Sequence, residues 1–118
     1  MSTGKRRLVP TETQLVKAIL ELLQRHPKVA LAWRTNTGAA KFGERFVRFG
    51  YPGVSDIIGM LKNGKFIAIE VKTPRAAKKP SSGLTEAQSA FLKVVARSSG
   101  VAFVATSPVA VLRLLNEI

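Results

Sequence analysis

The chain has no cysteine and only one histidine, His26, in 118 residues. Disulfide bracing and thiolate zinc sites are therefore excluded, and an intracellular, cytoplasmic setting is compatible with that lack. Acidic residues are scarce: seven Asp and Glu stand against nineteen Lys and Arg, a formal net charge of +12. Long apolar runs are missing as well, none approaching the roughly 20 residues that cross a bilayer. Met1–Arg7 carries basic residues without the apolar stretch that would make a signal peptide. Internal repeats are absent. Neither a membrane partner nor a nucleotide cofactor is expected.

What is present is a globular composition, 46% hydrophobic and 22% charged, on a length that suits one compact domain. Residues 1–9 read as a flexible basic arm and 10–118 as a single domain. A field of this sign draws polyanions and speeds their encounter, so nucleic acid is the first candidate partner and an anionic surface the second.

Thr11 followed by Gln14 is a helix-start signature. The apolar positions behind it, Leu15, Ile19 and Leu22 with Val16, Leu20 and Leu23, form two adjacent stripes. Pro27 ends this helix near His26. Val29–Arg34 reads as a strand, Thr35–Gly38 as a turn, and Phe46–Phe49 as a short strand. Strands over 56–61 and 65–72 follow, then a basic, proline-punctuated loop over 73–83. A second capped helix starts at Thr85, again with glutamine three residues on at Gln88. Val101–Ala105 is a strand, and Ser107-Pro108 opens a last helix. Leaving the short Phe46–Phe49 strand out of the count, the order helix, three strands, helix, strand, helix (αβββαβα) implies an α/β sandwich around one mixed sheet.

Glu70 and Lys72 interrupt the most strand-like apolar run, Phe66–Lys72. A buried carboxylate is costly unless something positive meets it. Upstream, Asp56 opens the partner strand. With a two-residue Asn63-Gly64 turn, Asp56 and Glu70 fall on opposite faces. A three-residue loop, Lys62–Gly64 with Gly64 left-handed, pairs Leu61 with Lys65 and sets Asp56 across from Glu70, with Lys72 on the same face. That register, from this loop or from an equivalent bulge near Gly59, is the expected one. Two carboxylates beside a lysine suit a magnesium-dependent phosphodiesterase, with the Val71 carbonyl as a further oxygen ligand, Mn2+ able to substitute, and Lys72 as the catalytic cation. The plain alternative is a salt-bridged Glu70–Lys72 pair on a strand face. Glu12 shares the first helix's apolar side and is a candidate ligand, direct or through water; a first-turn acid favoured by the helix dipole explains it equally. Gln88 is a catalytic candidate and also the natural capping partner of Thr85.

Gly53-Val54-Ser55-Asp56, then Ile69-Glu70-Val71-Lys72-Thr73-Pro74, then Leu84-Thr85-x-x-Gln88-x-x-Phe91-Leu92, resembles the VRR-NUC family of the restriction-endonuclease-like (PD-(D/E)XK) nuclease superfamily. The resemblance runs from Glu12 to about Val104. It implies a restriction-endonuclease-like sandwich, metal carboxylates at Asp56 and Glu70, a catalytic lysine at Lys72, a helix-one acid at Glu12 and a motif glutamine at Gln88. Ser55 departs from the superfamily pattern, which often has proline there. Stand-alone members of this kind are compact and often viral or bacterial. The family implies structure-selective DNA cleavage, in some members of four-way (Holliday) junctions by homodimers and in others of flaps.

Lys5, Arg6, Arg7, Lys41, Arg45, Arg48, Arg75, Lys78 and Lys79, with Asn36, are the candidate DNA contacts, spread through loops suited to holding phosphates. Trp33, Phe42, Phe46 and Tyr51 read as core or interface. The second apolar stripe of the first helix is expected to seat a symmetric partner. Competing readings are a flap or less selective nuclease, and a basic DNA-binding module whose carboxylates only make salt bridges.

Overall fold

The computed structural model describes residues 9–36 and 38–118. Its elements are α1 (Glu12–Arg25), β1 (Val29–Arg34), β2 (Gly38–Phe42), β3 (Arg45–Phe49), β4 (Ile57–Leu61), β5 (Phe66–Val71), α2 (Pro74–Ala77), α3 (Glu86–Arg97), β6 (Val101–Ala105) and α4 (Pro108–Glu117). The arm residues Lys5, Arg6 and Arg7 lie outside the described residues.

Both capping signatures form. Thr11 accepts from the Gln14 N–H and Gln14 returns the bond to the Thr11 N–H; Thr85 and Gln88 do the same for α3. Four strands make one sheet in the order β1-β4-β5-β6, with β6 parallel to β5 and the other pairs antiparallel. A parallel neighbour needs a crossover, and α3 supplies it. The result is a mixed sheet flanked by helices, as expected of a restriction-endonuclease-like sandwich.

Period-two alternation divides β4 and β5 between two faces. Ile57, Leu61, Ile67, Ile69 and Val71 point to one face and are buried against Leu15, Val16, Ile19 and Leu23 of α1 and Val111 and Leu115 of α4. Each such fully buried aliphatic side chain contributes roughly 1.5–3 kcal/mol. Lys28 ties the far end of the chain to this layer, its ammonium donating to the carbonyls of Leu115 (2.7 Å) and Ile118 (3.1 Å). The opposite face carries Ala68 and Glu70, and α3 packs there over β5 and β6. Over β1 and β4 that face is uncovered: Leu31, Trp33, Met60 and Phe66 are all exposed.

Three expectations are corrected. The second stripe of α1 is not free: Val16 and Leu23 are buried, Leu20 packs against the core and α4 lies alongside. The aromatic residues Trp33, Phe42, Phe46 and Tyr51 are exposed rather than core. The segment after β1 forms a two-stranded hairpin, β2–β3, where one short strand was expected. The loop over 73–83 also holds the single turn α2, capped by Thr73, and a 3-10 turn at Pro80–Gly83.

Candidate active site

The β4–β5 turn shows the register of the two strands. Leu61 donates to the Lys65 carbonyl (2.8 Å), Gly64 donates to the Leu61 carbonyl (2.9 Å), and Gly64 has φ +91°. This is the three-residue loop with a left-handed glycine expected from the sequence. Ile57 pairs with Ile69 and Ile58 with Ala68, so one step further Asp56 stands across from Glu70. Both carboxyls then lie on the face that α3 covers, within hydrogen-bonding reach of each other.

Asp56 is held at its carboxylate and at its carbonyl. Its Oδ2 accepts from the Val71 N–H at 2.7 Å. Its carbonyl accepts from the Thr35 N–H at 2.9 Å, and the Thr35 hydroxyl donates to the Ser55 carbonyl at 2.7 Å. Because the N–H and C=O of one strand residue share an edge, the Val71 carbonyl is directed to the same edge as Asp56. Before Asp56, the Tyr51 carbonyl accepts from the Val54 N–H (3.1 Å) across Pro52-Gly53, a turn in which Gly53 takes φ +78°. A Cβ on Gly53 would sit 2.3 Å from the Ala87 carbonyl oxygen, so only glycine lets this loop lie against α3.

Glu70 is 1% exposed. Gln88 Nε2 donates to its Oε2 at 3.1 Å while Gln88 Oε1 accepts from the Thr85 N–H at 2.9 Å. The capping role and the site role of Gln88 are therefore one geometry. The Lys72 ammonium lies 3.8 Å from the same Glu70 oxygen. Burial, then the Asp56 charge and its hydrogen bond, push the Glu70 pKa from an ordinary 4.5 up to about 8, against the opposing pull of Lys72. Glu12 is exposed in the first turn of α1 and is the smallest of the influences raising Glu70. Among the described residues no three His, Cys, Asp or Glu side chains gather closely enough to ligate one ion, so Glu12 does not join the pair directly.

Beside the carboxylates is an open, polar cleft of about 400 Å³ lined by Arg34, Thr35, Asn36, Val54, Asp56 and Gln88. Asn36 was expected here; Arg34 and Thr35 were not. They reach the cleft because β1 pairs with β4, Arg34 opposite Ile57, a long-range pairing that no local pattern announces. Lys41 and Arg45 are exposed on the β2–β3 hairpin, and Arg75, Lys78 and Lys79 are exposed on or just after α2. Arg48 belongs to β3, and its side chain lies outside the described residues.

The model of the VRR-NUC domain family matches residues 8–109, most of the chain. The chain belongs to the VRR-NUC domain family. Neither the curated proteins nor the solved structures gave a match to it. As a VRR-NUC domain it carries a nuclease-type, DNA-processing function, with DNA as its substrate class. Among the described residues no helix is long and apolar enough to cross a membrane.

Proposed function

We propose that this VRR-NUC domain is a magnesium-dependent, structure-selective endonuclease that hydrolyses phosphodiester bonds in branched DNA, cutting four-way junctions as a homodimer. One observation carries the reading: the β4–β5 register that brings Asp56 and Glu70 together on one face, with Lys72 and Gln88 both against Glu70.

The donor set fits a hard divalent cation. Two carboxylates and a strand carbonyl are all oxygen, and magnesium takes one or two carboxylates while sharing substrate phosphate oxygens. Asp56 and Glu70 in such proximity cannot both ionise cheaply, as the raised Glu70 pKa shows. Asp56, Glu70 and the Val71 carbonyl would hold Mg2+, with Mn2+ as a substitute and Glu12 acting at most through water. Bound there, the ion supplies a nucleophile at neutral pH and neutralises charge on the phosphate.

The remaining work falls to the chain's own groups. Lys72, 13% exposed at its side chain, orients the attacking water and stabilises the negative charge on the phosphate oxygens as the water's oxygen bonds to phosphorus and the bond to the leaving oxygen breaks. Gln88 fixes the Glu70 carboxyl through its hydrogen bond to Oε2. The basic residues Lys5, Arg6, Arg7, Lys41, Arg45, Arg48, Arg75, Lys78 and Lys79, with Asn36, hold the DNA backbone without reading sequence. For the homodimer, the apolar face of Leu31, Trp33, Met60 and Phe66 replaces the α1 stripe as the proposed seat. A two-fold axis would cover the same patch on both copies at once.

The test is cleavage of labelled four-way junction, flap and linear duplex with magnesium, by the wild type and by Asp56→Asn and Lys72→Ala. Junction cleavage lost in both variants with DNA binding kept supports the reading. Equal cutting of duplex and junction removes the selectivity. Binding without cleavage of any substrate, under varied metals, leaves a DNA-binding module.

A further inference from the structure

Among the described residues, the substantial contacts of the β2–β3 hairpin are between its own two strands. A lone two-stranded ribbon is marginal in water, so a sequence that keeps one has a use for its surface. This one carries large aromatic rings at its end, Phe42 at 64% and Phe46 at 67% exposed. Lys41 pairs with Phe46, and Phe42 pairs with Arg45. Directly opposed residues share a face and neighbours alternate. Each face of the tip therefore presents one ring beside one cation. The tip itself is a two-residue turn with Gly43 at φ +64° in its first position, which matches the right-handed twist of a hairpin.

The hairpin also starts and ends at the cleft. Its first strand follows Asn36, and its second leads through Tyr51–Gly53 to Val54 and Asp56; Asn36, Val54 and Asp56 line the cleft. Five residues per strand at roughly 3.4 Å each carry the tip about 17 Å from that rim, on the order of five base steps.

Apolar rings on a chain of net charge +12, each flanked by a cation, suit a partner that is anionic along its edge and flat and apolar inside. We propose that the β2–β3 hairpin is a DNA-engaging arm whose Phe42 and Phe46 stack on bases left unpaired or splayed where strands branch, while Lys41 and Arg45 grip the adjoining phosphates. A fully paired duplex offers no free base face, so the rings discriminate structure and the cations do not. The arm rests on the nuclease reading above for its substrate, and it gives the branch selectivity a physical basis in stacking.

The test measures binding rather than turnover. In a Lys72→Ala background, Phe42→Ala and Phe46→Ala are titrated by fluorescence anisotropy against a four-way junction and a blunt linear duplex. Each truncation is expected to weaken junction binding roughly 5- to 150-fold, the range of one lost base stack, and duplex binding by about twofold or less. Phe42→Trp, which keeps a stacking ring, should retain junction affinity. Lys41→Ala and Arg45→Ala should weaken both DNAs and each lower the salt slope by about one. Equal affinity of all variants for the junction, or equal losses on both DNAs for the ring variants, overturns the proposal. So does a ring variant that turns from dimer to monomer by light scattering with DNA binding falling in proportion, since the rings would then be an interface between copies. If the wild type cuts no DNA while the ring variants still lose junction binding, the nuclease reading fails and the arm stands.

Discussion

Glu70→Gln should abolish cleavage and make the metal-free protein more stable, by an amount that depends on pH in a specified direction. In the fold, the Glu70 carboxyl holds its proton up to about pH 8, against an ordinary 4.5. A group with a raised acid pKa binds its proton more tightly when folded. Its favourable contribution is therefore present at acid pH and is lost progressively as pH climbs from 4.5 to about 8. At about 1.36 kcal/mol per unit, the wild type at pH 7 forgoes roughly 3 kcal/mol that a permanently neutral side chain keeps. Glutamine reproduces the protonated acid: its oxygen accepts from Gln88 and its amide donates to Asp56, so neither neighbour loses its partner.

Urea unfolding in chelator across pH 4.5 to 8.5 measures the difference. The two proteins should be close at pH 4.5, and the variant should lead by roughly 3 kcal/mol at pH 7, on the order of 10 °C in melting temperature for a domain of this size. Above about pH 8 the gap should level off. Magnesium should then narrow the gap by stabilising the wild type, by about 1.4 kcal/mol at tenfold excess over its dissociation constant, and leave the variant unmoved. A gap that does not change with pH, or a variant less stable than the wild type at pH 7, refutes the account of a buried, mutually repelling carboxylate pair.

Lys72→Ala should lower single-turnover cleavage by about 100-fold or more while DNA affinity changes little, since the lost interaction belongs to the transition state. Gly53→Ala should cost about 2 kcal/mol or more in urea unfolding and lower cleavage with it, because the new Cβ meets the Ala87 carbonyl and the backbone is left-handed there. Ser55 is fully buried and its hydroxyl finds no hydrogen-bond partner among the described residues. Ser55→Ala should accordingly be neutral or stabilising by about 1 kcal/mol, and a clear loss in melting temperature would contradict that. One glycine inserted after Asn63 should leave cleavage within about threefold of wild type and cost under roughly 1 kcal/mol, because lengthening an exposed turn adds little closure entropy.

The helix starts were legible because a cap is local: Thr11 with Gln14 and Thr85 with Gln88 lie within one turn of each other. The β4–β5 register was legible because setting Asp56 and Glu70 on one face favours the three-residue loop over a plain two-residue Asn63-Gly64 turn. What stayed hidden was long-range. Arg34 and Thr35 meet Asp56 only through the β1–β4 pairing. The second stripe of α1 meets α4, which follows it by more than eighty residues. Phe42 and Phe46 read as core or interface; nothing local says that their strands form a separate two-stranded sheet on which both rings are largely exposed.

The alignment of the two carboxyls is a property of the core as much as of the turn. The same register that sets Asp56 across from Glu70 sets Ile57 across from Ile69 and Gly59 across from Ile67. A slip by one residue would send Ile57 and Leu61, both buried, to the face that now carries Ile58 and Met60. At roughly 1.5–3 kcal/mol for each side chain exposed, that slip costs more than a strained or lengthened turn. The turn therefore adapts to the strands, and the aliphatic layer under the sheet holds the acidic pair above it in place. The close pair is tolerated because separating it would also unmake the core, and because Glu70 keeps its proton beside Asp56 until about pH 8.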